Sequence, residues 1–203
     1  MHTFSFYRAP IANCTPCRSI TIEQLYKYLT WDNIREKTND FRKLSADERK
    51  KIKPQIFDYV TTGGDFVKRG LSGLRAVSGY VILDFDHIKP DGVGLFCTFY
   101  TPAVLSFVSP SGEGVKVIID YTSIFDLYGL FSMDYTKEQN REYAARVYAE
   151  YWAISARIIK DQSCGKYQAD ESGKDIARAC FLPFDENALF VDRTLSPLTT
   201  TNN

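Results

Sequence analysis

Hydrophobic positions along this chain fall into short alternating runs, set between helical stretches that open on recognisable caps. Residues 3–7 alternate polar and aromatic side chains, which predicts a short strand because residues two apart share a face. Thr21-Ile22-Glu23-Gln24 reads as a capping box, with Leu25 and Leu29 following at helical spacing. A second box, Ser45-Ala46-Asp47-Glu48, opens the basic run Arg49-Lys50-Lys51-Ile52-Lys53, which Pro54 is expected to stop. We read that run as a solvated helix face in preference to a template-binding patch. Residues 56–60 predict a strand and Thr61-Thr62-Gly63-Gly64 a turn.

Further along, strands are expected over 104–108 and 115–119, joined by Ser109-Pro110-Ser111-Gly112-Glu113-Gly114 into a hairpin with Lys116 near its start. Lys89-Pro90-Asp91-Gly92 is a turn signal. A third box, Thr136-Lys137-Glu138-Gln139, begins the longest predicted helix, running to about residue 161. Tyr143, Val147, Tyr151, Ile154 and Ile158 form its expected core stripe. Two last strands are predicted over 179–184 and 188–191. Interspersed strands and helices with hairpin connections predict an α+β fold around an antiparallel sheet.

One strand stands apart. Val81-Ile82-Leu83-Asp84-Phe85-Asp86 is apolar enough to be buried, yet it delivers two carboxylates to the same face. Adjacent acids on a buried strand repel each other and lose hydration unless a positive group sits between them. A hard divalent cation is the usual answer, since Mg²⁺ takes oxygen ligands and is often held by one or two carboxylates plus phosphates.

Composition narrows the classes. A chain of 203 residues with 25 basic and 25 acidic side chains has no bulk charge with which to coat nucleic acid, although a local basic cleft stays possible. The length predicts one domain over residues 1–193. Residues 194–203 are expected to be a flexible tail or linker. The N-terminus lacks the apolar core of a signal peptide and no apolar run is bilayer-long, so a cytoplasmic location without a membrane partner is expected. Cys14 and Cys17 form a CxxC pair, but no second close pair exists among Cys97, Cys164, Cys180, His2 and His87, so no zinc is expected. An acidic nuclease motif is also excluded, because Glu113 and Lys116 stand at an odd spacing and cannot share a strand face.

Three segments carry candidate chemistry together. Asp84 and Asp86 come first, then the loop from Ser109 to Lys116, then Ala169-Asp170 with Asp175 and Arg178 downstream. The loop lacks the spacing of a Walker motif and precedes a strand, yet its glycines, two serines and lysine suit a triphosphate. In this order the segments resemble the archaeo-eukaryotic primase (primase-polymerase) superfamily, and most of all the Bacteroides VirE-type or BT-type N-terminal domain family. Lys116 stands where most primase-polymerases carry a histidine.

The resemblance implies an RRM-like antiparallel sheet core of the primase-polymerase type, the catalytic sheet over about residues 76–193, with an N-terminal α/β lobe over about residues 1–75. It implies nucleotidyl transfer in the replication of bacterial or mobile-element DNA, with two Mg²⁺ or Mn²⁺ ions held by Asp84, Asp86 and Asp170. Ser109, Ser111, Gly112, Gly114, Lys116 and Arg178 would bind the nucleotide, and Asp175 would orient Arg178. Nucleoside triphosphates, a single-stranded DNA template, and a helicase or VirE-like ATPase segment on a longer chain are the implied partners, in the bacterial cytoplasm. The alternative is a catalytically inactive, primase-like DNA-binding domain of a replication or mobilisation protein.

Overall fold

The computed structural model describes residues 2–88 and 102–192. The turn expected at residues 89–92, Cys97 and the tail from 194 lie outside those residues. The chain order is β1 (Phe4–Tyr7), β2 (Arg18–Ile20), α1 (Ile22–Leu29), α2 (Arg35–Lys43), α3 (Ala46–Ile56), β3 (Tyr59–Thr61), β4 (Gly64–Phe66), β5 (Leu74–Val77) and β6 (Tyr80–Asp86). It continues with β7 (Ala103–Val108), β8 (Gly114–Asp120), α4 (Thr122–Leu127), α5 (Glu138–Gln162), β9 (Cys180–Phe181) and β10 (Leu189–Phe190). No helix among the described residues is long and apolar enough to cross a membrane.

The described strands form two four-stranded sheets, ordered β2-β1-β3-β9 and β10-β7-β8-β6, and a small β4-β5 ribbon. The pairings are antiparallel, in keeping with an α+β fold. The predicted hairpin is present, with Phe107 opposite Lys116 and Val108 opposite Val115. Strand β9 comes from the C-terminal part of the chain but adds to the N-terminal sheet through Val60 and Cys180, so the chain crosses between the two sheets three times.

Alternation on β6 and β8 divides the core in two. Val81, Leu83, Phe85, Val115, Val117 and Ile119 face helix α5, where they meet Ala144, Tyr148, Trp152 and Ile159. Ile82 and Ile118 face the other way, toward Phe4, Phe6, Leu25, Leu29 and Val60 of the N-terminal sheet and its helix. Each such side chain stabilises the fold by about 1.5–3 kcal/mol through burial.

Local chemistry explains most of the elements. Thr21 and Gln24 close the capping box of α1, and Ser45 and Glu48 that of α3. Pro54 does not stop α3, which runs on to Ile56. The proline removes the N–H that would pair with the Lys50 carbonyl, while its own carbonyl, in the last turn where helix carbonyls run out of partners, accepts the Ile11 N–H at 2.7 Å. The strand expected from residue 56 therefore begins at Tyr59. Strand β1 is buried on both faces, because the Ser5 hydroxyl accepts the Phe66 N–H at 2.8 Å instead of meeting water.

Two expectations fail on α5. The box at Thr136 does not form, since Asp134 takes both the Thr136 N–H (3.0 Å) and its hydroxyl (2.6 Å), and the helix opens at Lys137 without a side-chain cap. The buried stripe is Ala144, Val147, Tyr148, Trp152, Ser155 and Ile159, about one residue round from the one expected. Ile154 is exposed, and Tyr143, Tyr151 and Ile158 flank the core. Tyr148 and Trp152 bring more apolar surface to the sheet than the alternative phase, and Ser155 is satisfied inside by the Tyr151 carbonyl (2.7 Å) and the Tyr121 hydroxyl (2.8 Å).

Candidate active-site cleft

The cleft-facing side of β6 presents Ile82, Asp84 and Asp86 in succession, as strand alternation requires. Asp84 pairs in register with Lys116 on β8, and Asp86 with Gly114. This end of the sheet opens into a cleft of about 540 Å³ between the two sheets. Its walls come from the β7–β8 hairpin (Ser109, Pro110, Ser111), from the segment after α5 (Ser172, Gly173, Asp175, Arg178) and from helix α3 (Lys50, Lys53, Pro54).

The Lys116 ammonium contacts Asp84 Oδ2 directly. Its side chain is only 10% exposed, so the lysine is a buried cation whose counter-charge is built into the neighbouring strand. Burial opposes its charge, but Asp84 and, further off, Asp86 outweigh that effect and hold the ammonium protonated above its usual range. The second carboxylate oxygen, Asp84 Oδ1, is buried with no hydrogen-bond partner. A buried carboxylate oxygen without a donor costs about 1–3 kcal/mol and marks a place for a cation or donor. Beneath it lies Cys180, whose thiol is pushed up to about 12 by burial and is inert.

The hairpin loop is held from outside. Arg42 donates to the Ser109 and Pro110 carbonyls at 3.4 and 3.3 Å. Arg49 donates to the Ser111 carbonyl at 3.0 Å and to Glu113 at 2.8 Å. The Ser109 and Ser111 hydroxyls, 3.0 Å apart, both line the cleft. Gly112 and Gly114 shape the turn behind them: Gly112 has φ +79°, and a Cβ on Gly114 would stand 2.6 Å from the Phe85 carbonyl oxygen.

Asp170 is tied to the acidic strand by its N–H, which donates to the Asp84 carbonyl at 2.8 Å. Its carboxylate, however, caps the turn Glu171–Lys174, accepting the Ser172 N–H at 3.0 Å and the Ser172 hydroxyl at 2.5 Å. Those bonds, the hydroxyl foremost, hold its pKa below the usual aspartate value. Arg178 approaches the same carboxylate at 3.9 Å. Asp175, expected to orient Arg178, instead caps the next turn by accepting the Ala177 N–H at 2.9 Å, while its carbonyl accepts the Arg178 N–H at 2.9 Å. Asp170 is thus the one acid among the described residues that forms an ion pair with the guanidinium. His87 follows the end of β6 with φ +60° and is exposed, outside the regular alternation. Cys14 and Cys17 are free thiols.

Helix α3 adds what the sequence reading assigned to solvent. Lys50 and Lys53, three residues apart, lie on one helix face and line the cleft, whereas Lys51 does not. Arg49 and Lys53 share a face at i, i+4, which was the available signal. Arg69, also at the wall, sits in a loop with no periodicity to reveal it.

No curated protein and no solved structure matches the chain. A family model described as "BT4734-like, N-terminal domain" matches residues 51–190, more than half of the chain and the span from α3 to β10. The match takes in Lys53, Asp84, Asp86, the hairpin loop, Lys116 and Arg178, and the chain belongs to the BT4734-like N-terminal domain family.

Proposed function

We propose that this domain is a nucleotidyltransferase of the primase-polymerase type, acting on a single-stranded DNA template in replication of bacterial or mobile-element DNA. One observation carries the reading: Asp84 and Asp86, Lys116, Ser109 and Ser111, and Arg178 converge on one cleft from separate parts of the chain. The helix-backed antiparallel sheet β10-β7-β8-β6 supports an RRM-like core beneath it.

The donor set fits a hard divalent ion. Asp84 and Asp86 share a face, and Asp84 Oδ1 is buried without a partner. Mg²⁺ or Mn²⁺ held by Asp84 and Asp86, with Asp170 alongside, would supply Lewis-acid activation of a 3′-hydroxyl and charge neutralisation at the leaving pyrophosphate. Asp170 joins only by giving up its bonds to Ser172. The chain's own residues bind and orient. Lys116 can keep Asp84 with one N–H and offer the others to a phosphate, and the two serine hydroxyls bind phosphate oxygens. Arg178 stabilises charge on the transferring phosphoryl group. A new P–O bond forms from the 3′-oxygen to the α-phosphorus as the bond to pyrophosphate breaks.

A second reading has its own support. Lys116 already supplies a positive charge to Asp84, as it would in a catalytically inactive, primase-like DNA-binding domain of a replication or mobilisation protein. In either case the domain would serve a longer chain in the bacterial cytoplasm, alongside a helicase or VirE-like ATPase segment. Binding of labelled nucleoside triphosphate with Mg²⁺ or Mn²⁺, in the wild type and in Asp84→Asn and Asp86→Asn, separates the two. Metal-dependent binding lost in both folded variants supports the transferase, and primer extension should then follow the same pattern. A folded wild type that binds DNA but no triphosphate overturns it in favour of the binding module.

A further inference from the structure

The cleft carries more positive charge than its acids can use. Five cationic side chains line it (Lys50, Lys53, Arg69, Lys116, Arg178) against three carboxylates (Asp84, Asp86, Asp175), an excess of two. Lys116 is paired with Asp84, and Arg178 lies near Asp170. Lys50 and Lys53 make no ion pair with any described residue.

Lys53 is the more telling of the two. It is half-buried, and its ammonium lies 5.6 Å from the centre of the Phe181 ring, on the strand that joins the two parts of the chain. Burial, followed by the nearby Lys116 and then Arg178, lowers its pKa, and Asp84 and Asp86 only partly offset that. A half-buried lysine beside other cations is unfavourable unless an anion completes it. One turn earlier on the same face, Arg49 grips the Ser109–Glu113 loop. Helix α3 therefore holds the hairpin loop with one side chain and presents to the cleft, with another, an ammonium that has no carboxylate partner among the described residues. Any divalent ion held at Asp84 and Asp86 would add to the positive excess, and only a ligand with several negative charges would balance it.

We propose that Lys53, assisted by Lys50, anchors the outer phosphates of a nucleoside triphosphate, so that the cleft selects triphosphates over monophosphates. This inference rests on the nucleotidyltransferase reading and extends it to substrate selection by residues of the N-terminal lobe.

The test measures binding of one labelled nucleoside as its tri-, di- and monophosphate, with Mn²⁺ present, and of a labelled single-stranded oligonucleotide. The proteins are wild type, Lys53→Gln, Lys53→Arg, Lys50→Gln and Asp84→Asn. Lys53→Gln is expected to weaken triphosphate binding about ten- to a hundredfold while leaving monophosphate within about twofold. Lys53→Arg should restore most of the loss. Lys50→Gln, at an exposed position that folding tolerates, should show a smaller loss with the same dependence on phosphate number. If Lys53→Gln binds all three nucleotides as wild type does while Asp84→Asn does not, the inference is wrong and the transferase reading stands. A loss confined to the oligonucleotide overturns it as well, assigning the lysine to the nucleic-acid backbone. A wild type that binds no nucleotide removes both.

Discussion

The two faces of β6 differ by a single step along the strand and by almost everything in their chemistry. Val81, Leu83 and Phe85 are fully buried against α5, where they need only shape and apolarity. Ile82, Asp84 and Asp86 look the other way into the cleft, with exposure rising toward the strand end. The first face makes the second possible. A rigid apolar anchor on one side lets the strand hold two like charges on the other, with Asp84 in register with the buried Lys116. Mutation should separate the two roles. Phe85→Ala is expected to cost about 3–5 kcal/mol in urea denaturation, through lost transfer energy and a cavity. Asp86→Ala, one residue on and exposed, should stay within about 0.5 kcal/mol. Equal losses at the two positions would mean that the cleft face also carries the fold.

The Asp84–Lys116 pair breaks the comparison unevenly, which makes it a sharper test. Asp84 is about one-third exposed and can turn to water, whereas Lys116 cannot. Asp84→Ala strands a buried ammonium and should destabilise by about 3 kcal/mol. Lys116→Met leaves a carboxylate that reaches solvent and fills the lysine's volume, so about 1 kcal/mol or less is expected. Equilibrium denaturation of the two variants at neutral pH gives the ratio, and near-equal costs would show that the lysine is not held by Asp84.

These faces were readable in advance because strand alternation has only two phases. The apolar residues at 81, 83 and 85 leave no choice for Asp84 and Asp86. Helix α5 shows the opposite case. Apolar side chains at 143, 144, 147, 148, 151, 152, 154, 158 and 159 support two neighbouring stripes. Packing of Tyr148 and Trp152 onto the sheet decides between them, and that is tertiary information. Strand β2 was missed because Arg18-Ser19-Ile20 has no alternation of its own and borrows its conformation from β1. The basic run on α3 looked solvated because most such runs are. That Lys50 and Lys53 face the cleft while Lys51 does not depends on where α3 docks, which its capping box and its proline do not encode. In the same way the resemblance groups Asp170 with Asp84, and the Asp170 N–H does meet the Asp84 carbonyl, but the commitment of its carboxylate to Ser172 follows from a turn that sequence spacing does not reveal.

A second contrast, between the two loops that flank the acids, supports smaller effects. The hairpin loop is gripped by side chains from α2 and α3, whereas the 170–178 segment is held by its own caps. Arg49→Ala should therefore cost about 1 kcal/mol or less in global stability, since one of its partners is an exposed glutamate. Its local effect should be larger. Amide exchange at Gly112, whose N–H donates to the Ser109 carbonyl at 2.9 Å, is expected to speed about tenfold. Unchanged exchange would show that the loop holds its own shape and that Arg42 and Arg49 merely rest on it.

The 170–178 segment should give the converse and smallest signal, one that depends on pH. Asp170 has its pKa lowered chiefly by the Ser172 hydroxyl, opposed by partial burial and aided by the Ser172 N–H and Arg178. The folded state thus favours the carboxylate more than the unfolded chain does. A depressed folded pKa contributes stability that is fully present above the ordinary value of 3.8 and is lost as pH falls through the folded value. Ser172→Ala removes the largest cause. The stability gap between wild type and Ser172→Ala should be constant at neutral pH and narrow once the pH drops below that ordinary value. Denaturation midpoints measured down that range give the answer. A gap that stays flat would mean that Ser172 does not hold the Asp170 carboxylate, leaving it free to turn toward Asp84 and Asp86 and making all three acids available to the cleft together.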